Sequence, residues 1–107
     1  CQTLAMPNYA HSIPNNNDNQ DIVSMGTNSA LICKRVIDNV FQVMSIHFIA
    51  LAQAVDCLKI AGELAPVSRR VYDDVRAIIP AFVEDAPFYR QIAAVEAYLR
   101  NNPLNLK

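Results

Sequence analysis

A chain of 107 residues is one domain or less, because single domains usually run about 100 to 200 residues, and a multidomain enzyme is thereby excluded. With 52% hydrophobic residues, 18% charged residues and a net charge of −1, the composition is globular, neither disordered nor an electrostatic binder of nucleic acid. The two glycines, Gly26 and Gly62, are too few for Gly-rich phosphate loops or for an all-β chain with many tight turns.

The first residue is Cys1, with no charged and apolar leader pattern after it, so the sequence reads as a piece of a longer polypeptide. Cys1, Cys33 and Cys57 are odd in number and lie 32 and 24 residues apart, which fits neither a disulfide framework nor a metal-binding CxxC. They read as reduced, buried thiols of a cytoplasmic protein.

In chain order, Cys1 to Gln20 is polar and shows no apolar period. It is expected to be an irregular loop, packed down at points by Leu4, Met6, Tyr9 and Ile13. From Asn28 to Ile60, 21 of 33 residues are apolar and recur at three- and four-residue steps, which predicts one long helix of roughly 50 Å. That length is nearly twice the diameter of a compact domain of this size, and the apolar residues cover more than one stripe, so the helix needs partners from outside the chain. Expressed alone, it would associate through that surface. A membrane span is disfavoured because Asn39, Gln42, Ser45, His47 and Gln53 interrupt the uncharged stretch.

A second helix should follow Pro66, with Ser68 as N-cap, and stop at Pro80; a third should start at Asp85 as N-cap, with Ala86 and Pro87 in its first turn. The expected fold is all-α: a loop over 1–26, a long core helix over 27–62 and two shorter helices over 66–102, as one part of a larger helical bundle.

Chemistry is concentrated before the long helix, where Pro14 to Asp21 holds four asparagines and one glutamine. Carboxamides offer donor and acceptor without net charge, so they suit a zwitterionic or polar ligand, and the following helix N-terminus favours an anion such as a carboxylate. Asparagines also crowd into turns for conformational reasons alone, so both readings stand on the residues. Asp18 and Asp21 read as capping and dipole partners of the helix. His11 and His47 lack ligand-spaced companions and read as hydrogen-bonded structural histidines, not metal ligands. Tyr72, Tyr89 and Tyr98 fall on the predicted helices as packing residues.

Ser12-Ile13-Pro14, Asn19-Gln20-Asp21 and Val23-Ser24-Met25-Gly26 resemble the corresponding block of the MIO-dependent aromatic amino-acid ammonia-lyases and aminomutases. The run Ser12 to Ala30 is most similar to bacterial tyrosine ammonia-lyases, and a looser likeness continues through Tyr72-Asp73-Asp74-Val75-Arg76 and Pro80-Ala81-Phe82 to the tail. The resemblance implies a homotetramer with a shared helical bundle and active sites built from several subunits. It also implies elimination of ammonia from an aromatic amino acid, or return of the amine to the β carbon in a mutase. The electrophile would be the methylidene-imidazolone MIO, made from an internal Ala-Ser-Gly. No Ala-Ser-Gly occurs in these residues, so the chain is expected to be inactive without the upstream part of the same polypeptide.

By position in the resembled motif, Asn16, Asn19 and Gln20 are the substrate-positioning residues. Gln20 stands where histidine-directed members carry glutamate; a neutral amide there argues for tyrosine or phenylalanine, since a buried carboxylate beside a phenol or phenyl ring would be costly. The competing expectation is a free-standing helical oligomerisation or binding module without catalysis.

Overall fold

The computed structural model describes residues 2–8, 14–15, 20–22 and 25–102. Its elements are a 3-10 turn at Gln2–Ala5, strands β1 (Pro14–Asn15) and β2 (Gln20–Ile22), and helices α1 (Gly26–Leu58), α2 (Pro66–Ile78) and α3 (Tyr89–Asn101), with a second 3-10 turn at Ala61–Glu63. The fold is all-α. The chain divides into two compact units, Cys1–Val40 and Phe41–Lys107, and α1 contributes to both.

The N-terminal stretch departs from the expected irregular loop. It contains a short antiparallel ribbon in which Pro14 opposes Ile22 and Asn15 opposes Gln20. Moving one residue along β1 moves two along β2, so Asp21 is the extra residue of a bulge. Of the anticipated packing residues Leu4 is half-buried, Met6 is exposed, and Tyr9 and Ile13 lie outside the described residues. Asp21 sits in β2 and the first turn of α1 contains no acidic residue, so Asp21 is not a residue of that turn as its capping role would suggest; Asp18 lies outside the described residues.

Helix α1 matches the predicted long helix but ends at Leu58, because Lys59 adopts φ 58°. Ile60 N–H then donates to Val55 O at 3.2 Å and Lys59 N–H to Asp56 O at 3.1 Å, the paired bonds of a Schellman motif that satisfy carbonyls left open by the last turn. A left-handed conformation is unfavourable for a residue with a Cβ, so Lys59→Gly is expected to stabilise this corner by about 1 kcal/mol. Chemical denaturation of the two forms side by side checks it.

Prolines set the remaining boundaries. Ala65 is extended at ψ 151°, as a residue before proline must be, and Pro66 opens α2 at its first position. Ser68 is therefore inside the first turn and not the N-cap, because the preset φ of Pro66 starts the helix earlier. Ile79, preceding Pro80, is extended at φ −131°, ψ 110°, while its N–H still donates to Val75 O at 2.9 Å. Helix α3 begins after Phe88, with no side-chain cap, so Asp85 is not its N-cap and Ala86 and Pro87 precede it. At its far end the Asn101 and Asn102 side chains donate to Ala97 O and Tyr98 O at 2.8 and 3.1 Å.

The core of the second unit lies where the three helices meet. Ile49 and Ala52 from α1, Val75 from α2, Ile79 just after it and Val95 from α3 are buried, with Phe48, Val71, Ile92 and Leu99 packed around them. Burial of each isoleucine and valine among them contributes about 1.5–3 kcal/mol, and of the Ala52 methyl less. Ser45 continues the same stripe of α1 one turn earlier; fully buried, its hydroxyl donates to Phe41 O at 2.7 Å, so no polar atom is left open. Phe82 and Phe88 pack with tilted rings, centroids 4.5 Å apart, and hold the α2–α3 connection down.

Only three of the 33 residues of α1 are buried: Ser45, Ile49 and Ala52. Leu31, Val36, Ile37 and Val40 are exposed in the first unit, and Val43, Met44, Ile46, Leu51 and Leu58 in the second. By length and composition α1 is apolar enough to cross a membrane, although Gln42, Ser45, His47 and Gln53 lie within it. Cys33 and Cys57 are free and exposed, against the expectation of buried thiols; both project from the unpacked sides of α1. His47 is likewise exposed, where a hydrogen-bonded position was expected.

Candidate substrate-positioning site

The predicted site residues lie on and around the β1–β2 ribbon. Gln20 is the first residue of β2 and is paired across the ribbon with Asn15, so residues 16–19 connect two strands held in antiparallel register. Asn16 and Asn19 fall within that connection and outside the described residues.

The ribbon is followed directly by α1, and Asn8 ties the preceding segment to the helix start. Its Nδ2 donates to Met25 O at 2.9 Å and to Ser29 Oγ at 2.7 Å, and its Oδ1 accepts from Asn28 Nδ2 at 2.6 Å. The expected coincidence of the amide-rich segment with a helix N-terminus falls largely on residues outside the described set; what the first unit shows is Asn8 bonded to the start of α1. Asn8 was not singled out in the sequence, since its partners stand 17, 20 and 21 positions away and no local pattern reports them.

A second polar cluster, in the Phe41–Lys107 unit, also escapes sequence reasoning. Arg76 of α2 makes an ion pair with Asp56 of α1, and Tyr72 donates its hydroxyl hydrogen to the same carboxylate. Arg76 also donates to Gln53 Oε1 at 3.0 Å and to Ile79 O at 3.2 Å. Gln53 Nε2 in turn donates to Phe82 O at 2.7 Å, linking α1 to the α2–α3 connection. The spacing of Tyr72 and Arg76 places both on one face of α2, and that was the available signal; the identity of their partner on α1 depends on how the helices pack.

The hydrogen bond from Tyr72, aided by the Arg76 charge and opposed by partial burial, holds the Asp56 carboxyl below its ordinary value. The same bond to Asp56 pushes the Tyr72 phenol up. Tyr98 is also raised, first by burial and then by donating to Asp74 Oδ2 at 2.7 Å. The signs follow from linkage. A depressed carboxyl contributes stability that is present above its unfolded pKa, near 3.8, and is lost as pH falls through the folded value. A raised phenol contributes stability that is present below about 10 and lost as pH rises through the folded value. Tyr72→Phe is expected to weaken both the acid and the alkaline dependence of the three-helix unit. Unfolding profiles at about pH 3, 7 and 10.5 check it, and an unaltered acid limb would contradict the coupling.

An apolar groove of about 550 Å³ runs beside this cluster, lined by Phe48, Leu51, Val55 and Leu58 of α1 and by Val67 and Val71 of α2, with Tyr72 at its polar edge. Among the described residues, no three His, Cys, Asp or Glu side chains gather closely enough to hold a metal ion.

Comparison with known proteins places this arrangement. The sequence model of the aromatic amino acid lyases matches residues 1–77. The chain belongs to the aromatic amino acid lyase family. It is 37% identical over 101 residues to a histidine ammonia-lyase of Staphylococcus aureus and 38% identical over 103 residues to that of Geobacillus thermodenitrificans, covering 94% and 96% of this chain. The solved tyrosine aminomutase of Streptomyces globisporus superposes with a TM-score of 0.75 at 35% identity, over 82% of this chain and 17% of the aminomutase. This member of the lyase family spans about 20% of the length of either histidine ammonia-lyase. The match to the family model includes the ribbon, all of α1 and most of α2, so both the Asn8 contacts and the Asp56–Tyr72–Arg76 cluster lie within it.

Proposed function

We propose that this chain is one segment of an ammonia-lyase that eliminates ammonia from an aromatic L-amino acid, tyrosine by preference, to give an arylacrylic acid. The observation that carries the ammonia-lyase reading is similarity to two histidine ammonia-lyases along more than nine-tenths of the chain. The preference for tyrosine is supported by the neutral amide of Gln20 and by the likeness to a tyrosine aminomutase.

In this reading the carboxamides of Asn16, Asn19 and Gln20 bind and orient the substrate by donating and accepting hydrogen bonds without adding charge. The electrophile that engages the amine, a methylidene-imidazolone, is supplied by the rest of the polypeptide. The donor set present here is compatible with that group: residues 14–22 are amides, aspartates, a proline and an isoleucine, with no lysine or cysteine to consume an electrophile. The exposed apolar length of α1 is covered by the remainder of the polypeptide and by other subunits of a homotetramer, an assembly that would remove Leu31, Ile37, Leu51 and Leu58 from water.

The test is to express the complete gene product and follow ultraviolet absorbance of the unsaturated acid with tyrosine, phenylalanine and histidine. Turnover with tyrosine ahead of the others is expected, and none from the 107-residue segment alone. Preference for histidine would reject the substrate assignment, and no release of ammonia from any of the three would reject the reaction. An aminomutase is the second reading, favoured by the Streptomyces globisporus similarity; accumulation of a β-amino acid in place of the acrylate would select it.

A further inference from the structure

Asn8 uses three of the four hydrogen-bonding positions of its carboxamide. Both Nδ2 hydrogens are given to the start of α1, at Met25 O and Ser29 Oγ, and Oδ1 takes one from Asn28 Nδ2. These bonds are not a helix cap. Capping groups accept from the unpaired N–H groups of the first turn, whereas Asn8 donates, and Met25 O is already bonded by Ser29 N–H at 2.8 Å. The Met25 carbonyl therefore has its helical partner without Asn8, which satisfies none of the first-turn N–H groups, and the three bonds serve the segment on the other side of them.

That segment is closed in nested steps: Asn8 to Met25, then Pro14 opposite Ile22, then Asn15 opposite Gln20. Strands of two and three residues are too short to hold a ribbon unaided, since isolated two-stranded hairpins are marginal even when longer. Holding residues 8 and 25 together removes conformations from the segment between them before β1 and β2 pair, and so lowers the entropic cost of that pairing.

We infer that Asn8 is a positioning residue, a clasp joining the two ends of the segment that carries the β1–β2 ribbon and thereby holding Asn15 and Gln20 in register beside the start of α1. The inference rests on the proposed function for its consequence in catalysis, but not for the clasp itself. Aspartate would lose both donors and set a carboxylate against Met25 O. Glutamine would carry the amide one methylene too far.

Hydrogen exchange in the complete protein tests the clasp directly. Asn8→Ala is expected to speed exchange of the 14–22 amides about tenfold while leaving α2 and α3 unchanged. No change over 14–22, or an equal rise throughout, would overturn it. If Asn8→Ala does not fold, Asn28→Ala removes one of the three bonds and should give the same pattern at smaller amplitude; protection of 14–22 unaffected in that variant would likewise overturn the clasp.

Where the wild type turns over tyrosine, Asn8→Ala should lower kcat/KM by about tenfold without a matching fall in melting temperature. The Asn8→Ala/Asn28→Ala pair should be no worse than Asn8→Ala alone, because both report one clasp. Full additivity, or a loss that merely tracks stability, would overturn the positioning role. A wild type inactive on all aromatic amino acids would reject the proposed function, and the exchange pattern would still decide the clasp.

Discussion

Under the proposed function, Gln20→Glu in the complete protein is expected to lower kcat/KM for tyrosine on the order of 10- to 100-fold while leaving the folded state nearly as stable. A neutral amide can donate to an uncharged phenol or accept from it, whereas a carboxylate only accepts and must be stripped of water to reach the same place. A buried partner left unpaired costs roughly 1–3 kcal/mol, which sets the fold-change through the factor of ten per 1.4 kcal/mol. Stability should change little because Gln20 lies in a strand whose register depends on backbone pairing with Asn15. The substitution also introduces the charge that the resemblance implies for histidine-directed members at this position, so turnover of histidine relative to tyrosine should rise under the proposed function. Steady-state kinetics on both substrates, with a thermal melt of each form, decide the matter; unchanged tyrosine kinetics would remove Gln20 from the site.

Ile79→Ala should have the largest effect on stability. Ile79 is 2% exposed and sits between the end of α2 and the core residues Val75 and Val95. Its extended backbone is imposed by Pro80, so the chain has little freedom to collapse into the space left behind. Deleting a buried aliphatic side chain of this size costs about 2–5 kcal/mol, part from lost transfer energy and part from the cavity. Native-state hydrogen exchange of the α2 and α3 amides should rise by about 30-fold or more. Equal protection in wild type and variant would mean that Ile79 does not hold the helices together.

The two substitutions probe different depths of what the residues reveal. The helix positions were legible because proline and apolar period act locally: Pro66 and Pro80 bracket α2, and the three- and four-residue steps from Leu31 to Leu58 require a helix. Their caps were less so. Ser68 and Asp85 are good N-cap residues by type, yet Pro66 started α2 three positions earlier than a Ser68 cap would and α3 began only after Phe88. Local propensity yields where a fixed φ or a neighbouring element dictates the start.

The amide-rich motif was legible as a motif, and its resemblance to the lyases agrees with the family match. Its scaffold was not. A ribbon of two and three residues leaves no periodic trace, and the Asn8 bonds join positions about 20 apart.

What the order of residues settled by itself is the all-α class, the length of α1 and the membership that the Pro14 to Gly26 block announces, because each depends on neighbours along the chain. Tertiary structure alone decided that Asp56 is the partner of Tyr72 and Arg76, that Gln53 holds Phe82, that Cys33 and Cys57 face outward and that Asn8 reaches Met25. Those pairings depend on which faces of separate elements meet. A contact between distant residues has its entropy of closure offset only once the whole set of contacts forms together, so no single stretch of sequence encodes it.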